Sequence, residues 1–397
     1  MRVLISGASI AGPVLAYWLA RRGFETTVVE RAPTLRKTGG HAVDLFRPAM
    51  NISEQMGVVD RIEARATGTK RLIVDRGGGH RRAVVDYDRL MGTISDRHVE
   101  IMRDDLSQIY FDAGRDDVEY VFGDEITGIT PEGDVAFASG PSRRFDIVVG
   151  ADGLHSGVRQ LIFGPEAGHT RFLDRYLAVL SVPKSIAREG DLLTYLDVDR
   201  LAGIYTADHL DDARVVFIFR TPAPLTVGHR DTAGQKAALE SRFASMAPEV
   251  DRWLSELDAG GAFYFDSITQ LSLTSWSRGR VTLVGDAGYC PGPAVGGSTS
   301  LAVLGAYVLA GELHKAGDDF AAGFAAYERV MSEPVQRSRT FARNVSVHLV
   351  PSSPWRVWAL TTAARAVSVL PAGPTRALAR LNQKGVRLYD SMSVPDY

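Results

Sequence analysis

The chain has 397 residues, 45% of them apolar and 23% charged, with a formal net charge of −2. That length allows two packed cores at about 100–200 residues per domain, and the hydrophobicity excludes a disordered chain. Near-neutral charge leaves no electrostatic footprint for nucleic acid, and the single cysteine, Cys290, excludes an intrachain disulfide framework and a cysteine-based zinc site, which points to a reducing, cytoplasmic compartment.

Residues 3–20 form an uncharged run of 18, long enough to raise a signal peptide or a membrane span. Gly7, Gly12 and Pro13 interrupt it, however. It reads better as a strand at 2–6, a glycine turn and a helix over 13–22, with Pro13 near the first helical position, where a missing N–H costs nothing. A β-branched strand follows at 26–30. Apolar strands separated by a helix imply a buried parallel sheet. Short β-rich pieces are predicted between 72 and 86, a helix over 103–113, and three hairpin-like strands near 119–122, 126–130 and 135–138, leading to a buried strand at 145–150. Residues 170–275 read mostly as strands, 214–219 among them, with a helix near 235–246. A further buried strand falls at 280–285, and a strongly apolar helix begins near Ser298. Its uncharged core, 301–311, is too short to span a bilayer. The C-terminal stretch is helical, broken by Pro351, Pro354, Pro371 and Pro374. The fold class is therefore α/β: a Rossmann-like nucleotide-type domain interrupted by a β-rich domain, with helices at the C-terminus.

Three motifs carry the chemistry. In Gly7-Ala8-Ser9-Ile10-Ala11-Gly12 the first glycine allows a tight turn and Gly12 lets helix and strand pack closely; the helix N-terminus suits a pyrophosphate. Ser9 stands where the middle glycine of the fingerprint usually is, and its small side chain still permits close approach. Glu30 ends the next strand 18 residues after Gly12, near the ~20 expected of a ribose-binding carboxylate. The second motif is the run from Gly150 through Asp152 to Arg159. The third runs from Gly285 and Asp286 to Gly296-Gly297-Ser298. Both follow buried strands, and each sets an aspartate beside glycines at a strand's carboxyl end, where open α/β sheets bind ligands.

Taken together, these motifs resemble the single-component FAD-dependent aromatic hydroxylases of the para-hydroxybenzoate hydroxylase fold, and within them the branch of tetracycline-inactivating and polyketide-tailoring monooxygenases. The resemblance implies cofactor contacts at Gly7, Ser9, Ile10, Ala11, Gly12, Glu30 and the following Arg31. It implies further contacts at Arg103 (flavin ribityl and phosphate region), at Asp152 (a motif shared between FAD and the nicotinamide cofactor) and at Asp286 (ribityl). Pro293, Gly296, Gly297 and Ser298 fall where the family lines the isoalloxazine. Tyr289 stands where the family usually has His, and Gly296-Gly297-Ser298 where it has Gly-Gln-Gly. The expected FAD-binding domain comprises 1–70, 97–168 and 276–345, the β-rich substrate domain 71–96 and 169–275, and the C-terminal helical segment 346–397.

The family implied would reduce FAD with NADPH or NADH, form a C4a-hydroperoxyflavin with O2, and hydroxylate an aromatic or polyketide-like small molecule, a tetracycline-like antibiotic among the candidates. The cofactor carries that chemistry, so no catalytic residue and no metal is expected, and the nine histidines show no His-x-x-x-His spacing. The rival readings are an oxidase or dehydrogenase of the same fold and a non-catalytic, membrane-docked FAD-binding protein; neither nucleic-acid binding nor stable membrane insertion is expected. His41 has two readings, a flavin or substrate contact and a solvated loop residue. Cys290 reads as a packed thiol. Tyr205, Arg214, Val216, Phe217 and Phe219 are the substrate-binding candidates. Phe217 and Phe219 share one face of their strand, with Arg214 and Val216 on the other, and either face could meet the pocket. Residues 355–370 read as an amphipathic helix packed across the domains, or alternatively lying on a membrane surface.

Overall fold

The strand Arg2–Ser6 buries Val3, Leu4 and Ile5 completely, as a strand in the middle of a parallel sheet must. It pairs in parallel with Glu25–Glu30 on one side and Ile147–Gly150 on the other, and Val281–Leu283 extends the ladder beyond the latter. Glu119–Phe122 joins the far edge, parallel to Glu25–Glu30. This corrects the expectation that it would belong with the hairpins, of which Ile126–Ile129 and Asp134–Phe137 form a separate antiparallel sheet with Arg143–Arg144. The structure, a computed structural model, describes residues 1–35, 40–92, 94–228, 231–293, 297–369 and 388–397.

A second sheet of seven strands runs in the order Phe263–Leu271, Thr170–Pro183, Asp212–Arg220, Arg200–Tyr205, Asp191–Asp197, Arg71–Asp75 and Ala83–Asp86. Its last two strands come from early in the chain, and Arg71–Asp75 pairs in parallel with Asp191–Asp197. One face is sealed by the helices Thr232–Phe243 and Pro248–Leu254, which pack Leu239, Phe243, Val250 and Trp253 onto Val215, Phe217 and Phe219. The first of these helices starts earlier than predicted because Asp231 accepts the Gly234 N–H at 2.9 Å as its N-cap. A separate two-stranded antiparallel ladder pairs Ala42–Phe46 with His98–Met102.

The apolar helix Ser298–Ala316 is buried along most of its length. It is followed by Phe320–Leu349, which carries Pro334 within it and crosses the expected boundary at 345. Pro354–Val369 packs on the Ala83–Asp86 edge of the seven-stranded sheet and leaves Trp355 and Trp358 exposed. Residues 388–397 are turn and irregular backbone, not helix; the rest of the expected helical segment, 370–387, lies outside the described residues. No described helix is long and apolar enough to cross a membrane.

Candidate active site

The first glycine turn is fixed by sterics. Gly7 has φ +107° and its N–H donates to Val29 O at 2.7 Å; a Cβ there would stand 2.6 Å from Ala151 O, and one at Gly12 only 1.9 Å from Gly7 O. The helix Ala11–Ala20 has no side-chain cap at Ile10, so its leading N–H groups are open to an anion. Glu30 sits beneath the turn, with one oxygen accepting the Ala8 N–H and the other the Ala32 N–H, both at 2.9 Å. Ser9 Oγ accepts from Arg103 Nη2 at 3.1 Å, which ties the turn to the helix Arg103–Gly114. Arg31 is largely exposed and lies 3.8 Å from Glu125.

Arg103 and Asp286 reach each other electrostatically across the cleft. Burial pushes the Asp286 carboxyl up and the Arg103 guanidinium pulls it down. Gly285, at φ +65°, turns the chain from the strand Val281–Leu283 into the single helical turn Asp286–Tyr289. Cys290, beside Asp286, is wholly buried, and burial pushes its thiol up. Tyr289 is buried as well, and its hydroxyl accepts from Tyr327 at 3.1 Å.

Asp152 uses both oxygens on its own turn, one accepting from Ser156 Oγ and the other from the Val158 N–H at 3.1 Å. It acts as a brace here. The residue that joins its motif to the third one is Arg159, wholly buried, which donates to Ala287 O at 3.0 Å and to Glu166 at 2.8 Å. Its place seven residues after Asp152 was visible in the sequence, but its reach was not.

Gly297, at φ +79°, precedes the helix Ser298–Ala316, whose first turn also lacks a side-chain cap. A Cβ on Gly297 would collide with the Tyr389 ring, which stacks on Phe46 at 5.0 Å. Pro293 is half-buried at the near end of the same loop; Gly296 lies outside the described residues. The two uncapped helix starts, the Gly7–Gly12 cradle and the Arg103 cation offer donors, and the Asp286 carboxylate an acceptor, in an arrangement that fits a dinucleotide with a pyrophosphate and a polyol chain, and so fits FAD.

Beside Gly297 opens a cavity of about 580 Å³. Its walls are the second face of the seven-stranded sheet, with Leu177, Leu201, Val216 and Ile218, and the helical residues Leu349, Leu360 and Ala364. His41, Tyr205, Val216, Gly297 and Ser298 all line it. Burial and the neighbouring Arg103 lower His41 to about 4, so its ring is neutral. Three substrate candidates do not reach the cavity. Phe217 and Phe219 point to the opposite face, where Phe217 meets the Phe243 ring edge-on at 4.8 Å and Phe219 stacks on Tyr176 at 5.5 Å. Their strand is buried on both sides, so alternation separates the two faces without assigning either. Arg214, although buried, is tied to Asp212 and to Gly40 O, the latter at 3.3 Å. Asp44, Thr69, Tyr87 and Glu100, which sequence reading did not single out, form the polar end of the cavity.

The model of the FAD binding domain family matches residues 1–322. A flavin-dependent monooxygenase of Legionella longbeachae is 34% identical over 355 residues, covering 87% of this chain and 89% of its own. The crystal structure of tetracycline destructase Tet(55) superposes with a TM-score of 0.82 at 30% identity, covering 100% of this chain and 98% of that one. Klebsiella pneumoniae HpxO, solved with FAD and uric acid, shares the fold at 22% identity and a TM-score of 0.75, over 97% and 96% of the two chains. With a glycine cradle, a cation and a carboxylate converging on one cleft beside an apolar chamber, and with that family match over most of its length, the chain belongs to the FAD-binding domain family and is a FAD-dependent monooxygenase.

Proposed function

We propose that this monooxygenase takes electrons from NADPH or NADH and hydroxylates an aromatic or polyketide-like small molecule in the cytoplasm, with tetracycline-like polycycles within its range. The observation that carries the reading is the cavity of about 580 Å³, walled by aliphatic side chains and bordered by Gly297 and Ser298. That volume and lining suit a rigid, largely apolar molecule. The likeness to Tet(55) supports the polycyclic end of the range.

FAD, when bound, supplies the reduction of O2 and the transfer of one oxygen atom. Gly7, Gly12 and the open start of the helix Ala11–Ala20 would hold its pyrophosphate, and Glu30 its ribose. Arg103 and Asp286 would hold the flavin chain, and Gly297 and Ser298 would border the ring. Leu177, Leu201 and Ile218 would keep water out of the chamber, which suits an oxygen-transfer reaction that water would divert. Neutral His41 and the Tyr205 hydroxyl both line the chamber and would orient a substrate oxygen.

Oxygen incorporation decides the reaction. With labelled O2, NADPH and a panel of phenols and polycyclic polyketides, the heavy atom is expected in an organic product. Steady NADPH oxidation that yields only hydrogen peroxide with every member of the panel would favour an oxidase of the same fold. For the cofactor contacts, Asp286→Ala is expected to lose most bound FAD while remaining folded by circular dichroism; an equally yellow variant would overturn that role.

A further inference from the structure

The polar end of the cavity contains a charge arrangement that the reading above does not use. Asp44 and Glu100 are direct cross-strand partners on the two-stranded ladder Ala42–Phe46 with His98–Met102, and both line the cavity. Partners in register project from the same face, and like charges so placed repel. Glu100 is held by Tyr87, whose hydroxyl donates at 2.9 Å, by Thr69 at 3.0 Å and by Thr67. Burial and the neighbouring Asp44 both push the Glu100 carboxyl up. Asp44 Oδ1 meets His98 Nε2 at 2.7 Å; none of the hydrogen bonds among the described residues engages Oδ2.

Nothing in the lining offsets these two carboxyls. Among the described residues that line the cavity there is no lysine and no arginine. His41 is neutral, Arg103 faces Asp286, and Arg214 is paired with Asp212. A second, independent feature at the same end concerns Tyr205, which is only 7% exposed. Its oxygen accepts the Ala42 N–H at 2.7 Å, and its own proton has no acceptor among the described residues. A buried hydroxyl proton without an acceptor is costly, so this end of the cavity is built for a ligand that brings both a cation and an oxygen.

We propose that the Asp44–Glu100 pair recognises a protonated amine on the substrate, that Tyr205 donates to an adjacent substrate oxygen, and that aromatic carboxylates are excluded. This rests on the hydroxylase reading above and narrows its substrate class to amine-bearing aromatics or polycycles. Placing an ammonium between the carboxyls removes the repulsion, whereas a carboxylate would add a third like charge in a poorly solvated site.

The test is equilibrium binding to the FAD-loaded protein, followed by ligand fluorescence, of three ligands matched in size: anthracenylmethylamine, anthracenylmethanol and anthracenecarboxylate. The amine is expected to bind at least ~10-fold more tightly than the carboxylate, with the alcohol between them. Glu100→Gln and Asp44→Asn should each bring the amine to within about 3-fold of the alcohol while leaving alcohol binding nearly unchanged. Alcohol binding also shows that a variant has kept its cavity, and if one variant fails to fold, the other variant and the wild-type ratio still decide. Equal binding of amine and carboxylate, a preference that survives both substitutions, or no binding of any of the three would overturn the proposal. Its failure is separable from failure of the hydroxylase reading, because oxygen incorporation is measured on neutral phenols.

Discussion

The two faces of the seven-stranded sheet are made from the same strands and have opposite fates. On one face Val215, Phe217 and Phe219 pack in one buried cluster with Phe243 and Trp253. On the other, Val216, Ile218, Leu177 and Leu201 look into a cavity of about 580 Å³. The difference is one of side-chain size and covering. Aromatic rings and two short helices fill the first face, while the second carries mainly aliphatic side chains and Gly203, with Leu349 packed against part of it and Leu360 lining the space that remains. A filled face contributes stability; an open one costs some of it and provides a chamber for a ligand.

That contrast can be broken residue by residue. The largest effect is expected from Phe217→Ala, which should lower unfolding free energy by about 3–5 kcal/mol with little change in ligand affinity for the folded fraction; chemical denaturation and ligand titration measure the two separately. Val216→Trp should do the reverse, weakening aromatic ligands by ~10-fold or more while shifting the denaturation midpoint little, since the added ring enters empty space. If the two substitutions exchanged phenotypes, the assignment of faces would be wrong.

A smaller effect tests how the sheet is anchored to the flavin domain. His155 lies 3.1 Å from Glu166 and 3.0 Å from Asp266, which raise it to about 10 against burial. Raised above its ordinary value near 6.5, the imidazolium contributes stability fully below that value and loses it as pH climbs towards 10. Because the side chain is about half exposed, solvent screening keeps the gain within ~0–1 kcal/mol. Thermal denaturation between these pH values should therefore decline slightly more steeply in the wild type than in His155→Gln; identical pH profiles would remove the ion pair from the account.

The same contrast explains what could be read from sequence. The strand Arg2–Ser6, the Gly7–Gly12 turn and Glu30 were legible because their chemistry is written in consecutive residues with fixed spacing. The strand Asp212–Arg220 was legible as a strand, but its faces were not, since Val215, Phe217 and Ile218 are all buried and no polar alternation marks an outside. Arg214 was a substrate candidate on the condition that its strand face met the pocket; in the structure it is paired with Asp212, two residues away. Asp44 and Glu100 are far apart in the chain and become neighbours only through the register of a two-stranded ladder, which no local pattern announces. Asp152 and Glu30 each spend both carboxylate oxygens on hydrogen bonds around their own turns, while Arg159, the residue that binds two motifs together, carried no more signal than any other arginine.

The most direct test of the central claim, that the open face and the Gly297 loop form one chamber over the flavin, is the visible absorption spectrum of the purified protein titrated with an aromatic ligand. Flavin bands are expected to shift and sharpen on ligand addition in the wild type and in Phe217→Leu, and to stop responding in Val216→Trp. A flavin spectrum equally indifferent to ligand in all three proteins, or a colourless protein that FAD cannot restore, would contradict it.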